Sequence, residues 1–396
     1  MSATTLRVQF GRPLRLALIG GGPRSWIGRI HQSAAELDGA WRVVAGVFSG
    51  DPARSREAGV AVGVDPARAY RDVGELLARE AVRADAIDAV AIMTPNDSHY
   101  AYAVAALDAG LDVIADKPVT RTFAEAADLV TRARAAGRVF AITHGYSAYP
   151  MTRHARGLVR DGAIGAVRFV QVEYIQGGLA TRIENHPQDA RQRWVVDSAR
   201  SGLALVMDAI GCHAQQLACA VTGARIARVV ADLTPLMPGR TLVDQASALL
   251  EFDDGARGTF TATQAAAGAE NEIRLCVFGA RGHLAWSHRE ASYLTLAREG
   301  EPAQRIGRGD RYLPPDIIAL GRTPRGHPEG LREAFANLYR EVADACCARN
   351  LGIAAPPAAW PRIEDGAHTM AFIEACIASH RERRWVDVAA SPLAAA

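Results

Sequence analysis

Lysine occurs at a single position in this chain. Of the 45 lysine and arginine residues in the 396-residue sequence, only Lys117 is a lysine. A chain that uses arginine wherever a generic cation is enough keeps lysine where arginine cannot replace it. The lysine ammonium is compact and its pKa can be tuned, whereas the guanidinium is always charged. The sequence therefore predicts an acid–base or polarising role for Lys117.

The residues around Lys117 indicate where that chemistry would take place. Asp116-Lys117-Pro118 follows the apolar run 112–115, and Thr94-Pro95-Asn96 follows the run 86–93. In open α/β sheets, ligands bind beyond the carboxyl ends of the parallel strands. We therefore expect both tripeptides to face a ligand. Asp116 has two interpretations, a direct catalytic role or the role of a turn or helix-capping residue.

A glycine-rich turn lies near the start of the chain. The segment Gly20-Gly21-Gly22-Pro23-Arg24-Ser25 fits the pattern GxGxxG with serine in the third glycine position, between a strand-like run and a helical pattern. The first glycine permits a tight turn, and the second lets the backbone approach a pyrophosphate at a helix N-terminus. The turn is predicted to bind a dinucleotide through Gly20, Gly22, Pro23 and Ser25.

The end of the second strand-like run bears on which dinucleotide binds. A carboxylate there would bind the adenosine ribose and exclude a 2′-phosphate. Ser49 occupies the tip, Asp51 follows two residues later, and Arg54 is equally suited to a phosphate. NAD and NADP therefore both remain open, with NAD favoured.

His213 is a second candidate for proton exchange. It lies in the segment 207–214, at the predicted start of a helix that runs to about Val221. A helix N-terminus lowers the pKa of a histidine and keeps the imidazole neutral, which suits proton exchange near neutral pH. The alternative is a structural role, which is the commoner use of a single histidine.

Two kinds of pattern divide the chain. Up to about residue 143, apolar runs alternate with helical patterns, which predicts a parallel, doubly wound sheet. After about Tyr149, strand-like runs follow one another, and Asp254-Gly255 between two of them is typical of a hairpin turn. We therefore predict an α/β Rossmann domain over residues 1–148. An α+β domain with a large open, mostly antiparallel sheet is predicted over residues 149–396.

The second domain is expected to contain six strands and two late helices. The helices, near 328–349 and 363–381, are candidates for packing back on the first domain. The strands are predicted near residues 167–175, 226–233, 246–252, 258–264, 273–278 and 283–287.

Composition excludes several classes of function. The net charge is +2 and no block of like charge occurs, so neither nucleic acid nor an anionic membrane is expected as a partner. The sequence contains no run of about 18 apolar residues, so no transmembrane helix is predicted. No signal peptide is recognised. The six cysteines show no CxxC spacing. The lack of CxxC spacing predicts that the thiols are reduced, that the protein is cytoplasmic and that it has no metal site.

Together these motifs resemble the glucose–fructose oxidoreductase / inositol dehydrogenase (Gfo/Idh/MocA) family over nearly the whole chain. The motifs that carry the resemblance are Gly20-Gly21-Gly22, Thr94-Pro95-Asn96 with His99, Asp116-Lys117-Pro118 and Gly211-Cys212-His213. Within the family, the chain is most similar to the branch of levoglucosan and glycoside dehydrogenases. That similarity comes from the segments 143–150, 173–177, 199–202 and 326–330.

The resemblance implies a hydride transfer between nicotinamide C4 and a carbon that bears a secondary hydroxyl. It implies that Lys117 binds and polarises this hydroxyl and that His213 exchanges its proton. The substrate would be a sugar, glycoside or cyclitol, and the face of the sheet commonly pairs subunits into a homodimer or homotetramer. Further cofactor-binding residues would be Thr94, Asn96, His99 and Asp116, and further substrate-binding residues Tyr146, Tyr174, Trp194 and His327.

The chain departs from the family pattern beside His213. The family places an aspartate four residues before this histidine, where the chain has Ala209, and Asp208 stands one residue too early. A shift of one residue points a side chain in another direction. Either a local backbone adjustment makes Asp208 a catalytic residue, or Asp208 is a turn or capping residue, which the ungapped register favours. Val195 also stands where the branch usually has an arginine.

Three functions are compatible with these residues. Lys117 and His213 favour an NAD(P)-dependent dehydrogenase or ketoreductase of a sugar, glycoside or cyclitol. Ala209 favours a catalytically silent, dinucleotide-dependent binder or regulator. The third function is redox-assisted glycoside cleavage through a 3-keto sugar, in which His144, Tyr146 or His327 would remove an acidic proton.

Overall fold

The computed structural model describes residues 3–23, 25–182, 184 and 204–390. Trp194, Val195, Arg24 and the segment 199–202 lie outside the described residues. The chain divides into two compact units. The first unit comprises residues 1–120, 124–145 and 331–364, and the second comprises 121–123, 146–330 and 365–396.

Helices and strands alternate in the first part of the chain and separate into groups later. The helices are α1 (Ala3–Phe10), α2 (Trp26–Leu37), α3 (Pro52–Ala61), α4 (Val73–Glu80), α5 (His99–Asp108), α6 (Phe123–Ala135), α7 (Pro150–Arg160), α8 (Cys212–Thr222), α9 (Pro315–Ile318), α10 (Leu331–Asn350) and α11 (Ile363–Glu382). The strands are β1 (Leu14–Gly20), β2 (Trp41–Val47), β3 (Ala89–Met93), β4 (Asp112–Ala115), β5 (Phe140–Ile142), β6 (Val167–Gln176), β7 (Ile226–Thr234), β8 (Gln245–Phe252), β9 (Arg257–Thr263), β10 (Asn271–Gly279), β11 (Gly282–Ser287), β12 (Tyr293–Arg298), β13 (Gln304–Gly307) and β14 (Val386–Asp387).

The first unit is built on a five-stranded parallel sheet of order β2-β1-β3-β4-β5. Its strands are short apolar runs, and every residue of β3 and β4 is buried. Burial on both faces is typical of a parallel sheet that helices cover on each side. The predicted doubly wound sheet is confirmed.

A late helix completes the core of the first unit. Helix α10 packs against α2, and the carbonyl of its Tyr339 accepts the indole N–H of Trp41 at 2.7 Å. The hydroxyl of Tyr339 lies 2.7 Å from Nδ1 of His31 on α2. These bonds join residues about 300 positions apart, so the core of the first unit includes a segment from far along the chain.

The second unit is built on a nine-stranded sheet of order β13-β12-β11-β10-β6-β9-β8-β7-β14. The pair β6 and β9 is parallel, whereas the other neighbouring strands pair antiparallel. Buried residues alternate along β7, β8 and β9, so one face of the sheet is covered. Helix α8 packs against β6, β9 and β10 on that covered face. The predicted large, mostly antiparallel sheet is confirmed, and β12, β13 and β14 were not predicted.

Two further findings concern the composition. Among the described residues, no helix combines the length and apolar character needed to cross a membrane. The six cysteines are free thiols, of which Cys212, Cys346, Cys347 and Cys376 are buried.

Candidate active site

The glycine-rich turn fits closely between β1 and the ends of its neighbouring strands. Gly20 and Gly21 have φ of +90° and +70°, which side chains rarely adopt. A Cβ atom on Gly20 would lie 2.7 Å from the carbonyl oxygen of Met93, and one on Gly22 would lie 2.9 Å from that of Phe48. The turn therefore has no room for side chains and presents its main chain at the entrance to α2. This arrangement fits the pyrophosphate of a dinucleotide.

Ser25 has a local structural role at this turn. Its hydroxyl accepts the N–H of Gly28 at 3.1 Å and so caps α2. The close contact between helix and strand, which the third glycine of such a motif provides, is made by Gly28: a Cβ there would overlap the main chain of Gly21. The sequence pattern put Ser25 in the third glycine position, three residues before Gly28.

The loop after β2 keeps both a carboxylate and a guanidinium at its surface. The Asp51 carboxylate accepts the N–H of Arg54 at 3.0 Å and caps α3. The hydroxyl of Ser49 accepts the N–H of Asp51 at 3.2 Å. Asp51 and Arg54 are exposed, so both side chains are accessible to a ligand at this end of β2.

The loops after β3 and β4 are joined by one histidine. His99 lies at the start of α5, with Nδ1 2.8 Å from the carbonyl oxygen of Pro118 and Nε2 2.8 Å from that of Thr94. Asn96 between the loops is buried. Both ring nitrogens of His99 therefore already contact main-chain carbonyls.

Lys117 lies in a loop that Asp116 organises. The Asp116 carboxylate accepts the N–H of Lys117 at 2.8 Å and the hydroxyl of Thr143 at 3.0 Å. These bonds agree with the interpretation of Asp116 as a turn residue. Lys117 itself is half-buried, and the bond from Lys117 to Pro118 is cis.

His144 lies near this loop and is neutral at physiological pH. Burial and, to a lesser extent, the charge of Lys117 lower its pKa to about 3, although Asp116 acts in the opposite direction. An imidazole of such low basicity is a poor proton acceptor near neutral pH.

In the second unit, a hydrogen-bonded group of tyrosines and amides lies next to His213. The hydroxyls of Tyr146 and Tyr174 are 2.6 Å apart, and that of Tyr174 donates to Oδ1 of Asn271 at 2.8 Å. Asn271 Nδ2 donates to the Tyr146 hydroxyl at 3.3 Å. Gln176 donates to Asn271 as well. Burial raises the pKa of Tyr174, so its hydroxyl stays protonated and able to donate.

Four rings lie around Tyr146, those of Tyr149, Tyr174, His213 and His288. The ring of His213 is edge-on to it, with centroids 5.1 Å apart, and the ring of His288 is edge-on at 5.2 Å. The ring centroids of Tyr174 and His213 are 6.3 Å apart. Burial lowers the pKa of His288. The two tyrosines predicted to bind substrate are thus gathered at His213, with their hydroxyls engaged with each other.

His213 does not lie at a free helix N-terminus, contrary to the sequence interpretation. Helical structure begins at Leu205 and continues through a π-helical turn, Met207–Gly211, into α8. The field of a helix dipole falls off within the first turn. His213 is two turns further along and therefore lies outside the range of this field.

The π-helical turn changes the geometry around Asp208. The N–H of Cys212 donates to the carbonyl of Met207, five residues earlier, whereas an α-helix would use the residue four positions earlier. A π-turn thus holds one extra residue, so residues five apart come to lie one turn apart on a similar face. Asp208 and His213 are five residues apart, and Asp208 is buried at 8 % exposure.

His327 lies in a different part of the second unit. It lines a cavity of about 140 Å³ with Tyr293, Arg308 and Arg325, and its carbonyl accepts a guanidinium N–H of Arg308. Its side chain is exposed. The residues that line this cavity are a separate set from those around His213.

Sequence reasoning missed the amides beside the tyrosines. Gln176 ends β6, Gln264 follows β9 and Asn271 begins β10, and Gln264 donates to Gln176 at 3.1 Å. Each is a polar residue at the end of an apolar run, which was the available signal. Because β7 and β8 come between β6 and β9 in the chain, the sequence did not show that these ends meet.

Known proteins match this chain along its length. Residues 14–144 match the family model "Oxidoreductase family, NAD-binding Rossmann fold", and residues 152–285 match the "GFO/IDH/MocA C-terminal domain". An uncharacterized oxidoreductase of Bacillus subtilis, YfiI, is 33% identical over 95% of this chain and 97% of its own length. The chain belongs to the GFO/IDH/MocA family. This confirms the resemblance, the oxidoreductase class and the NAD-binding Rossmann domain.

Solved GFO/IDH/MocA structures share the fold of this chain. An inositol dehydrogenase homolog from Azotobacter vinelandii, complexed with NAD+, is 36% identical with a TM-score of 0.91, covering 95% of this chain and 98% of that one. The same homolog complexed with NADH and myo-inositol is 35% identical with a TM-score of 0.87, at the same coverage. Levoglucosan dehydrogenase from Pseudarthrobacter phenanthrenivorans is 24% identical over 76% of this chain and 80% of its own length.

Proposed function

We propose that this chain is an NAD-dependent dehydrogenase of a cyclic polyol, a cyclitol or a sugar in its ring form. In the oxidative direction, a secondary alcohol loses the hydrogen on its carbon as hydride and the hydrogen on its oxygen as a proton, and a ketone results. Bound NAD+ supplies the hydride acceptor. The protein's own task is to bind the alcohol, orient it and remove the proton.

The placement of Lys117 carries this proposal. The one ammonium side chain of the sequence lies beyond the carboxyl end of β4, where ligands bind in open parallel sheets. Its loop is fixed by the Asp116 carboxylate and by the contact of His99 with Pro118. An ammonium held in this way polarises a hydroxyl and stabilises developing negative charge on its oxygen. We therefore propose that Lys117 binds and polarises the hydroxyl that reacts.

We assign His213 and Asp208 to the removal of the hydroxyl proton of the alcohol. An imidazole beside the hydrogen-bonded side chains of Tyr146 and Tyr174 is a suitable proton acceptor for this step. The π-turn lets Asp208 serve the carboxylate function although it stands one residue before the family position. Such turns occur frequently at functional sites. A carboxylate beside an imidazole stabilises its protonated form and fixes its orientation. This assignment replaces the capping interpretation, since Asp208 lies inside the helical stretch.

The amide and hydroxyl groups beside His213 favour a substrate with several hydroxyls. Tyr146, Tyr174, Asn271 and Gln176 form one network of donors and acceptors. A polyol can exchange hydrogen bonds with such groups, whereas an apolar alcohol would leave them unsatisfied. The Azotobacter homolog crystallised with NADH and myo-inositol supports a cyclitol as the first compound to test. We keep Trp194 and His327 as untested substrate contacts.

NAD is proposed over NADP. The homolog structures contain NAD+ and NADH, and Asp51 places a carboxylate near the end of β2. Thr94, Asn96, Asp116 and the glycine turn remain the proposed cofactor contacts.

The cleavage hypothesis gains less support from the candidate bases. Burial lowers the pKa of His144 to about 3, and His327 lies at a separate cavity. Tyr146 has its hydroxyl engaged with Tyr174.

The experiment is a steady-state assay in which NADH formation is followed with myo-inositol, glucose and levoglucosan, each with NAD+ and NADP+. We expect turnover of at least one of these polyols with NAD+ and weaker turnover with NADP+. Calorimetry with the nucleotides runs in parallel. Nucleotide binding without turnover of any polyol in either direction would instead support a silent binder.

The assembly is proposed to be a homodimer or homotetramer that pairs through the outer face of the nine-stranded sheet. Phe169 on β6 and Leu249 on β8 are large apolar side chains exposed on this sheet, and an oligomer would cover such groups. Light scattering at micromolar concentration tests the mass. A cytoplasmic location also remains a prediction.

A further inference from the structure

We propose that His99 is a positioning residue that acts as an imidazolium: it ties the carbonyl of Thr94 to the carbonyl of Pro118 and thereby fixes the loop that carries Lys117. The kinetic part of this inference rests on the proposed dehydrogenase function. The part about the state of the ring does not depend on it.

The geometry of the ring requires two donors. His99 is 1 % exposed, and its two nitrogens lie 2.8 Å from the carbonyl oxygens of Pro118 and Thr94. A carbonyl oxygen only accepts hydrogen bonds, and a neutral imidazole carries one N–H. In a neutral ring, one nitrogen lone pair would therefore face a carbonyl lone pair at hydrogen-bond distance. The doubly protonated ring satisfies both carbonyls.

Two effects oppose this charge and two favour it. Burial disfavours a cation, and so does the position of His99 at the N-terminus of α5. In its favour, each N–H···O=C bond from a charged donor is stronger than a neutral one. Asp116 also provides a carboxylate two residues before Pro118, whose carbonyl oxygen lies 2.8 Å from His99 Nδ1.

The charged and titratable groups around His99 come from three elements. Asp97 lies in the turn before α5, and Asp116 and Lys117 lie in the loop after β4. His31 lies on α2, where burial lowers its pKa. Burial therefore favours the neutral ring of His31, and Asp97 and Asp116 are the acidic side chains of this set.

The consequence for Lys117 follows from chain connectivity. Pro118 is the next residue after Lys117, so a bond to its carbonyl fixes the main chain directly beside the ammonium-bearing residue. The other end of the connection is Thr94, which follows the buried strand β3. The loop after β4 is thereby fastened to the central part of the sheet. Since a misplacement of about 1 Å in a catalytic group costs up to about 10²-fold in rate, this fastening bears directly on turnover.

The first test determines the state of the ring in the intact chain. Protein labelled with ¹⁵N at histidine is examined by ¹H–¹⁵N NMR at pH 7 to 8, and the His99 signals are assigned by their loss in His99→Gln. We expect two one-bond N–H correlations from this ring. One correlation, from a neutral ring, would overturn the proposal whether or not a substrate is known.

The second test separates positioning from cofactor contact. His99→Gln and His99→Asn each keep an N–H donor for one of the two carbonyls, of Thr94 or of Pro118, and lose the donor for the other. We expect kcat with NAD+ and the best polyol to fall about 10- to 100-fold, while the Kd for NAD+ in calorimetry changes less than about threefold. The matched control is His283→Gln on β11 in the second unit, which should keep full turnover.

Two results of the second test would contradict the positioning role. Turnover of both His99 variants equal to that of the control would show that the connection does not matter. A parallel loss of NAD+ binding and kcat would show a direct cofactor contact. If wild-type protein turns over no polyol, the proposed function fails in that assay, while the NMR result still decides the state of His99.

Discussion

The main-chain N–H of Cys212 donates to the carbonyl of Met207, five residues earlier in the chain. This bond inserts one extra residue into the helix directly before His213. Under our proposal, the extra residue compensates for the one-residue displacement of the carboxylate from position 209 to Asp208.

The first prediction concerns this carboxylate. Asp208→Asn removes the charge with little change in shape, so we expect kcat to fall about 10²-fold or more, similar to His213→Asn. The measurement is kcat and KM with NAD+ and the best polyol. Ala209→Ser is the control and should keep most of the activity. An Asp208→Asn enzyme with normal turnover would return Asp208 to a structural role.

The second prediction concerns the ammonium of Lys117. Lys117→Arg keeps a positive charge but adds bulk and a group that does not release a proton near neutral pH. Turnover should fall at least about 10²-fold, while calorimetry shows unchanged binding of NAD+. Arg160→Lys, an exposed position paired with Asp161, is the control and should be fully active. Near-normal turnover of Lys117→Arg would mean that any cation is enough there.

The third prediction tests the glycine turn. A Cβ at position 22 would lie 2.9 Å from the carbonyl of Phe48, whereas one on Gly50 would meet nothing within 4 Å. Gly22→Ala should weaken NAD+ binding at least about tenfold, because the main chain must shift where a pyrophosphate approaches. Gly50→Ala should bind normally. Circular dichroism and thermal unfolding establish whether the Gly22 variant is folded, and equal affinity of the two folded variants would count against this turn as the binding element.

The fourth prediction concerns pH and Asp344 on α10. Burial raises the pKa of this carboxyl to about 6, and Arg7 lowers it only in part. In the unfolded chain the pKa is about 3.9. Between about pH 4 and pH 6 the folded chain therefore holds a proton that the unfolded chain has released, so the free energy of unfolding falls as pH rises through this window.

Asp344→Asn should remove this part of the pH dependence, which is on the order of 3 kcal/mol. Urea unfolding at several pH values from 4 to 7 measures it, and the difference between variant and wild type isolates the contribution of one group. Asp108→Asn, at an exposed carboxyl, should follow the wild-type curve. A constant difference between Asp344→Asn and wild type across the window would show that the carboxyl titrates normally.

Much of the fold was predictable because it depends on local patterns. The short apolar runs ending in Gly20, Met93 and Ala115 identified the parallel strands, and their polar successors identified the carboxyl edge of the sheet. The contribution of α10 was not predictable in detail, since its bonds from Tyr339 to Trp41 and His31 join distant parts of the chain.

The site residues divide in the same way into those that a local motif identifies and those that depend on contacts between distant parts of the chain. Lys117 and His213 were identified from residue type and motif, whereas Asn271 and Gln176 required knowledge of which strands pair. The π-turn was beyond a residue count, because it depends on one main-chain hydrogen bond that no residue type specifies. Gly28 was missed for a similar reason: its contact with Gly21 depends on how closely α2 crosses β1.

Because this chain has a single ε-amino group, amine-directed reagents can modify one chosen side chain, whereas most proteins offer them many. Reagents that label amines have one side-chain target, Lys117, besides the chain terminus, because the remaining basic side chains are arginines. Reductive methylation with ¹³C-formaldehyde keeps the charge of the amine and adds a reporter whose chemical shift follows its protonation. The loop after β4 therefore accepts a spectroscopic label at the proposed reacting group, without any substitution and without a background from the rest of the surface.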